Sequence, residues 1–327
     1  MIRELKSSHS YAKVMFILSV ATLLFGLGYC LFGELLLPFA ISSLAALFVF
    51  EKPSKRFLSY LIPPIPVIIA VSLYGTFALI TVQYIFYALI LALVYRFSKT
   101  KATAAFYLTF LIALFTVASL YISGAIAAES FLPKAVTDYY SDGYTELKAR
   151  LVAYLSEYTV TANDGSIQKP VSAEAAGEII DMASELAVSF VGILAFLIAG
   201  ISIKLFKALI LHFSKNGILK SFSHFLPSNT AAYVYVVVSI LSIFVGTSDV
   251  IDLTILNLAQ ILMCVFAYMG FQYVLMLGKI TGRKTTVILG LIAAILLLNT
   301  LALQILSYLG AWITIGTNKS LRSVDED

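Results

Sequence analysis

The sequence predicts an all-α protein, a polytopic transmembrane helical bundle of eight or nine spans with an extracytoplasmic amphipathic helical insertion. Hydrophobic residues make up 60% of the 327 residues and charged residues only 12%, with a mean hydropathy of +0.95, whereas soluble domains carry about 25% charged residues. Apolar runs near the roughly 20 residues that a helix needs to cross a bilayer recur along the chain. One long polar interval, residues 129–183, separates two apolar blocks, residues 1–128 and 184–327.

The first block, residues 1–128, accounts for about five spans. The apolar run from Val14 to Phe50 contains a single charge, Glu34, and predicts two helices, 14–33 and 35–50, that turn there. The following spans are predicted at about 57–75, 76–95 and 102–127.

Prolines interrupt the third of these helices, at Pro63, Pro64 and Pro66. Because each proline lacks a backbone donor and restricts the residue before it, we expect a kink or a break. In lipid the freed carbonyl groups need partners from neighbouring helices or water. Two interpretations stay open: a packing kink, or a discontinuous helix that lines a cavity as in many transporters.

The central interval is rich in charge and lies in water. Its acids are Glu129, Asp138, Asp142, Glu146, Glu157, Asp164, Glu174, Glu178, Asp181 and, just past its edge, Glu185, and its bases are Lys134, Lys148, Arg150 and Lys169. Apolar and aromatic residues recur there at steps of three and four, namely Tyr140, Tyr144, Leu147, Leu151, Leu155 and Tyr158. This spacing predicts an amphipathic helix over about 137–158, with Glu146 and Arg150 outward, that lies on the membrane or caps the bundle. Asn163-Asp164-Gly165 is a turn signal, and a second helix is expected to begin at Ser172.

The second block predicts spans at about 186–211, 230–247, 252–278 and 285–303. Residues 304–314 could prolong the last helix, re-enter the membrane or lie at its surface. Sixteen of the 22 basic residues fall in segments on the N-terminal side of the membrane, four in the central interval and two in the tail. By the positive-inside rule the N-terminus is cytoplasmic and residues 129–183 are extracytoplasmic.

No residue pattern points to catalysis, to a metal or to a cofactor. Cys30 and Cys264 lie within apolar spans, and His9, His212 and His224 have no ligand-spaced partner. Phosphate-loop and hydrolase motifs are missing from the sequence. The basic residues stand in short clusters between spans, where they report orientation instead of a nucleic-acid partner. We therefore expect a protein that is not an enzyme and whose constant partner is the lipid bilayer.

Polar residues inside apolar helices are the remaining candidates for a site. On the predicted 252–278 helix, a stripe at steps of three and four comprises Asn257, Gln260, Cys264, Tyr268 and Gln272. Such a stripe must face protein or water. It either joins helices or lines a site in the outer half of the bundle. The predicted ligand-binding residues are Gln83, Tyr84, Tyr87, Asn257, Gln260 and Asn299. Amides both donate and accept hydrogen bonds, so this site would suit a small neutral polar ligand.

The order of features resembles the YybS-like family of uncharacterised bacterial multi-spanning membrane proteins. The carrying motifs are Ile62-Pro-Pro-Ile-Pro66 before Gly75, Tyr95-Arg-Phe-Ser-Lys99, the outer insertion, Phe225-Leu-Pro-Ser228, and the stretch from Asn257 to Gly270-Phe-Gln272. That family is distantly similar to the substrate-binding membrane subunits of energy-coupling-factor transporters. The resemblance implies a bacterial cytoplasmic membrane protein that binds a small molecule or serves as a transporter component. The alternative is a structural or regulatory membrane protein that contacts a protein partner.

Overall fold

The computed structural model confirms an all-α architecture. It describes residues 10–51, 57–74, 82–97, 101–157, 160–161, 167–168, 172–214, 227–245, 249–298 and 300–325. The helices are α1 (Tyr11–Phe32), α2 (Leu37–Phe50), α3 (Phe57–Leu61), α4 (Pro64–Tyr74), α5 (Gln83–Phe97), α6 (Lys101–Ala127), α7 (Pro133–Glu157), α8 (Ala173–Glu185), α9 (Ala187–Phe213), α10 (Asn229–Leu241), α11 (Val250–Ile280), α12 (Lys284–Leu298) and α13 (Thr300–Asp325). A two-residue ribbon pairs β1 (Val160–Thr161) with β2 (Ile167–Gln168) in antiparallel register.

Four helical stretches within the described residues are long and apolar enough to cross a membrane. They are Tyr11–Phe50, Ala104–Ala127, Ala187–Phe213 and Val250–Ile280. Five shorter apolar helices accompany them: Pro64–Leu73, Gln83–Phe97, Asn229–Leu241, Lys284–Leu298 and Thr300–Gly316. This set of helices is that of an integral membrane protein.

The Tyr11–Phe50 stretch is a hairpin and not one straight helix. A 3-10 turn, Gly33–Leu36, separates α1 from α2, and Gly33 adopts a φ of +76° there. The rings of Phe25 and Phe39 lie 5.2 Å apart, whereas a continuous helix would separate residues at that spacing by about 21 Å along its axis. The predicted turn at Glu34 is therefore confirmed.

Helix α2 forms the centre of the first block. Eleven of its 14 residues are buried, and it packs against α1, α5 and α9. Small residues lie where α2 contacts α9. The two helices come so close there that the Ser42 hydroxyl lies 2.9 Å from the carbonyl oxygen of Ser202. Ala46 on α2 and Ala199 on α9 are also fully buried, as small residues at helix contacts predict.

The proline segment breaks the third helix, as predicted. Helix α3 ends at Leu61 and α4 begins at Pro64. The carbonyl of Pro63 accepts a hydrogen bond of 2.6 Å from the buried hydroxyl of Tyr84 on α5. A neighbouring helix thus satisfies a backbone group at the break.

Helices α11 and α13 cross with their backbones in contact. A Cβ added at Gly270 would overlap the backbone of Leu306, and one at Gly310 would overlap the backbone of Phe266. An earlier residue of α11, Phe266, meets the later residue of α13, Gly310, whereas Gly270 meets Leu306. The two helices are therefore antiparallel. The carboxyl end of α13 therefore lies on the side of the bundle where α11 begins.

Residues 285–298 of the predicted 285–303 span lie in α12, and α13 begins at Thr300. Residues 304–314, whose placement the sequence left open, are helical and belong to α13. Leu291 of α12 and Leu306 of α13 belong to one apolar cluster with Ala267 of α11.

Candidate functional site

The insertion folds as a pair of helices held together by one charged contact. The Lys148 ammonium on α7 donates to both carboxylate oxygens of Asp181 on α8, at 2.6 and 2.7 Å, and Tyr144 donates to the same carboxylate at 2.9 Å. The hydrogen bond to Asp181 raises the pKa of Lys148. Hydrogen bonds from Lys148 and then from Tyr144 lower the pKa of Asp181. At neutral pH both groups are therefore charged and paired.

This contact decides which face of α7 turns inward. Val136 is buried and Tyr144, Lys148, Val152 and Leu155 are half-buried. Their spacing of about four residues makes them one helical face. The helix predicted over about 137–158 is present as α7, and its Glu146 and Arg150 are exposed and form a 2.5 Å ion pair.

Of the two predicted placements of the apolar face of α7, on the membrane or against the bundle, the bundle does not cover two of its leucines. Leu147 is 55% exposed and Leu151 is 39% exposed. The reason is that Lys148, and neither leucine, faces the partner helix α8. The inward face is therefore rotated from the one that hydrophobicity alone indicates.

An open groove of about 600 Å³ lies between the end of α6 and the insertion. Its lining is Val117, Leu120, Tyr121, Pro133, Val136, Thr137, Tyr140, Ser141, Tyr144 and Ser184. Helix α6 supplies the first three residues, α7 most of the rest and α8 the last. Gly124, which also lies on α6, leaves room for the ring of Tyr140. We call this feature the outer groove.

Hydroxyl groups of the outer groove brace it to the backbone. Tyr121 donates to the carbonyl of Phe131 at 2.7 Å, Tyr140 to that of Leu120 at 2.5 Å and Thr137 to that of Pro133 at 2.9 Å. Since each hydroxyl proton is used, the oxygens remain available as acceptors. No charged side chain lines the outer groove in the part of the chain that the structure describes.

The predicted residues of α5 meet one another and α6. The Gln83 amide donates to the hydroxyl of Ser119, and its oxygen accepts from Tyr87 at 3.0 Å. The Tyr87 hydroxyl also lies 3.3 Å from the carbonyl of Ile112. Tyr84 binds Pro63, as described above. All three predicted side chains are buried and use their polar groups within the bundle.

Asn257 joins three helices. Its oxygen accepts from the backbone N–H of Ser189 at 2.7 Å, while its amide donates to the carbonyls of Glu185 and Leu253 at 3.0 and 2.9 Å. Leu186, between α8 and α9, provides no side-chain cap for α9. Asn257 therefore serves as the N-terminal cap of α9 from a different helix. Asn257 thus fixes the α8–α9 junction, where the insertion joins the second block.

The remaining two predicted residues are Gln260 and Asn299. Gln260 is half-buried and makes no hydrogen bond among the described residues. Asn299 and the Asn163–Gly165 turn lie outside the described residues. The structure thus pairs Gln83 with Tyr87 but gives Asn257 a separate set of partners.

The residues of the outer groove were not predicted from the sequence as a binding site. A usable signal was present, because Tyr121 stands near the end of an apolar run and Tyr140 near the start of the amphipathic helix. Tyrosines at these places are typical of a membrane–water boundary.

The sequence matches no protein-family model, and neither a curated protein nor a solved structure matches it. Among the described residues, no group of three His, Cys, Asp or Glu side chains is placed to hold a metal ion. The outer groove and the bundle are therefore the features that bear on function.

Proposed function

We propose that this chain is a multi-pass membrane protein that binds a small neutral molecule in the outer groove. The carrying observation is the groove itself, whose volume of about 600 Å³ lies within the roughly 300–1,000 Å³ of ligand sites. It lies between α6 and the insertion, and its residues differ from those that the sequence predicts for a site in the outer half of the bundle.

The lining specifies the chemistry of that molecule. Val117, Leu120 and Val136 offer apolar contact, and uncharged walls favour a neutral ligand. The oxygens of Tyr121 and Tyr140 are acceptors, so the ligand should carry N–H or O–H donors along one edge. The resemblance to the YybS-like family supports the same proposal and extends it to a transporter component.

The proposal includes nine crossings of a bacterial cytoplasmic membrane. The α1–α2 hairpin accounts for two crossings, and α12 and α13 together account for one. The chain then begins in the cytoplasm and places residues 129–183 outside the membrane. The distribution of basic residues supports this orientation. Cysteines placed at Ser141 and Ser54 test it, since a membrane-impermeant thiol reagent should label intact cells at position 141 and not at position 54. The reverse pattern would overturn the topology.

The binding proposal is tested by filling the outer groove. Ser141→Trp places a large ring at an exposed lining position, whereas Gly143→Trp adds the same ring about 200° around α7, where an added Cβ meets nothing within 4 Å. Native mass spectrometry of the purified full-length chain should show a small neutral molecule on the wild type and on Gly143→Trp, but not on Ser141→Trp. Equal occupancy of all three proteins, or none in any, would contradict the proposal.

The second candidate is a structural or regulatory protein that contacts a membrane protein partner. Apolar side chains of the insertion that lie away from the outer groove favour it, because Leu147, Tyr154, Ile179 and Met182 are all more than half exposed. Leu147→Ser with Tyr154→Ser should abolish crosslinking to that partner while leaving occupancy of the groove unchanged. Unchanged crosslinking would remove this candidate.

A further inference from the structure

A second, smaller cavity lies where α6, α9 and α11 meet, far along α9 from the outer groove. Its volume is about 110 Å³, and its lining is Ala105, Phe196, Leu197, Gly200, Ile201, Ile203, Lys204 and Tyr268. An independent observation confirms the free space, since a Cβ added at Gly200 would meet no atom within 4 Å. Three of the longest apolar helices therefore leave room for a small group beside Gly200.

Lys204 brings a positive charge to this cavity. Its ammonium lies 5.1 Å from the centre of the Tyr268 ring, a cation–π distance. The Tyr268 ring is itself held edge-on by Phe196, with ring centres 5.9 Å apart. Because a ring face occupies only one side of the ammonium, the N–H donors on its other sides remain able to bind an anion.

The position of Lys204, in the half of α9 that leads to its carboxyl end, allows the ammonium to reach the boundary between acyl chains and headgroups. Helix α9 has 27 residues, about 40 Å, and therefore exceeds the hydrocarbon thickness by about 10 Å. Lys204 lies about 14 Å from the end of α9 at Phe213. If the excess length protrudes at this end, which also carries Lys207 and His212, the ammonium lies within a few ångströms of the headgroups.

We propose that Lys204 and the cavity beside Gly200 bind the phosphate of an anionic phospholipid headgroup. A space of about 110 Å³ accommodates a phosphate group but not a whole lipid. The acyl chains then run along Leu197 and Ile201, which are 49% and 45% exposed and lie from Lys204 toward the middle of α9. Basic pockets between transmembrane helices are suited to such headgroups.

The test measures lipid binding to the full-length protein in a neutral detergent by native mass spectrometry. Phosphatidylglycerol should bind the wild type more tightly than phosphatidylcholine. Lys204→Gln should weaken phosphatidylglycerol binding about fivefold, which is about 1 kcal/mol at 1.4 kcal/mol per factor of ten. Lys204→Arg should retain most of the binding. Lys279→Gln is the matched control, because Lys279 is an exposed base in the last turn of α11.

A second variant and a measurement with inorganic phosphate distinguish a bound lipid from a soluble anion. Gly200→Leu fills the cavity without changing any charge, so its loss of phosphatidylglycerol binding would support the site even if Lys204→Gln failed to fold. Equal binding of the two lipids, or equal weakening by Lys204→Gln and Lys279→Gln, would overturn the proposal. If inorganic phosphate displaces no lipid from the protein, the result supports the proposal. If the protein binds inorganic phosphate but shows no preference for phosphatidylglycerol, the ligand is a soluble anion and the proposal is overturned.

Discussion

Replacing Gly310 by alanine adds a single methyl group where the backbones of α11 and α13 touch. That carbon would lie 2.8 Å from the backbone nitrogen of Gly270 and closer still to the carbonyl oxygen of Phe266, whereas ordinary van der Waals contact begins at 3.4 Å. The obstructing atoms are backbone and cannot rotate away. Helices α11 and α13 must therefore separate by at least several tenths of an ångström along their contact.

Two opposing terms set the size of the effect. Alanine stabilises a helix interior by about 0.5–1 kcal/mol relative to glycine. Overpacking costs about 1–3 kcal/mol, and the rigid backbone obstacle places this crossing at the upper end. Gly290→Ala is the matched control, since a Cβ there meets nothing within 4 Å and only the favourable term applies. The two variants should differ in the free energy of unfolding by about 2–3 kcal/mol.

Thermal unfolding of the purified protein in detergent measures this difference. Trp312 is the only tryptophan of the 327 residues and stands on α13 beside the crossing, so its fluorescence reports the relevant helix directly. Gly310→Ala should unfold at a lower temperature than the wild type, and Gly290→Ala at the same or a higher temperature. Equal stability of the two alanine variants would refute the inference that the backbones touch at this crossing.

Two further predictions concern the insertion. Asn257→Leu removes three hydrogen bonds and leaves the Ser189 N–H and the Glu185 carbonyl without their partner, at about 1–3 kcal/mol for each unsatisfied group; thermal unfolding should show a larger loss than for Gln260→Leu, and equal losses would contradict the capping role. The second prediction is a pH dependence of the α7–α8 contact. The pKa of Asp181 is held below 3.8, so its contribution is complete above that pH and is lost only as the pH falls through the lower folded value. The pKa of Lys148 is raised above 10.5, so its contribution is complete below that pH and is lost as the pH rises through the higher folded value. Spin-label distances between α7 and α8 should stay constant from pH 5 to 9 in the wild type, and Asp181→Asn should remove the acid transition; separation beginning near pH 6 would argue against the pair.

Most of the helices could be predicted from the sequence because a helix that crosses a bilayer needs a long apolar run. Apolar runs, the turn at Glu34 and the break at Pro63 each follow from backbone chemistry that acts locally along the chain. The crossing of α11 and α13 was not predicted, since it depends on Gly310 meeting Gly270, a contact between residues 40 positions apart. No local pattern encodes that contact.

The amide stripe shows why the candidate site was harder to predict than the fold. Sequence spacing places Asn257 on a polar face, but it cannot show that the α8–α9 junction at Leu186 offers that amide a free N–H and a free carbonyl. The same limit applies to Lys148, whose partner on α8 lies 33 residues away. An amide or a charged group can form a fixed number of hydrogen bonds. Its role depends on which neighbouring groups take part in those bonds.

The outer groove is anchored on both of its sides, and this bears on how a ligand would enter. Tyr121 and Tyr140 tie the α6–α7 turn to the backbone, while Asn257 clamps the root of α8 to α11 and α9. A lid that swings over a site needs at least one weakly attached end. The insertion is instead held to the bundle through α6 at one end and α9 at the other, so the groove is formed before the ligand arrives. A preformed site loses little conformational freedom on binding. A neutral molecule should therefore bind by entering the open side of the groove with the insertion in place, rather than by drawing the insertion down onto the membrane.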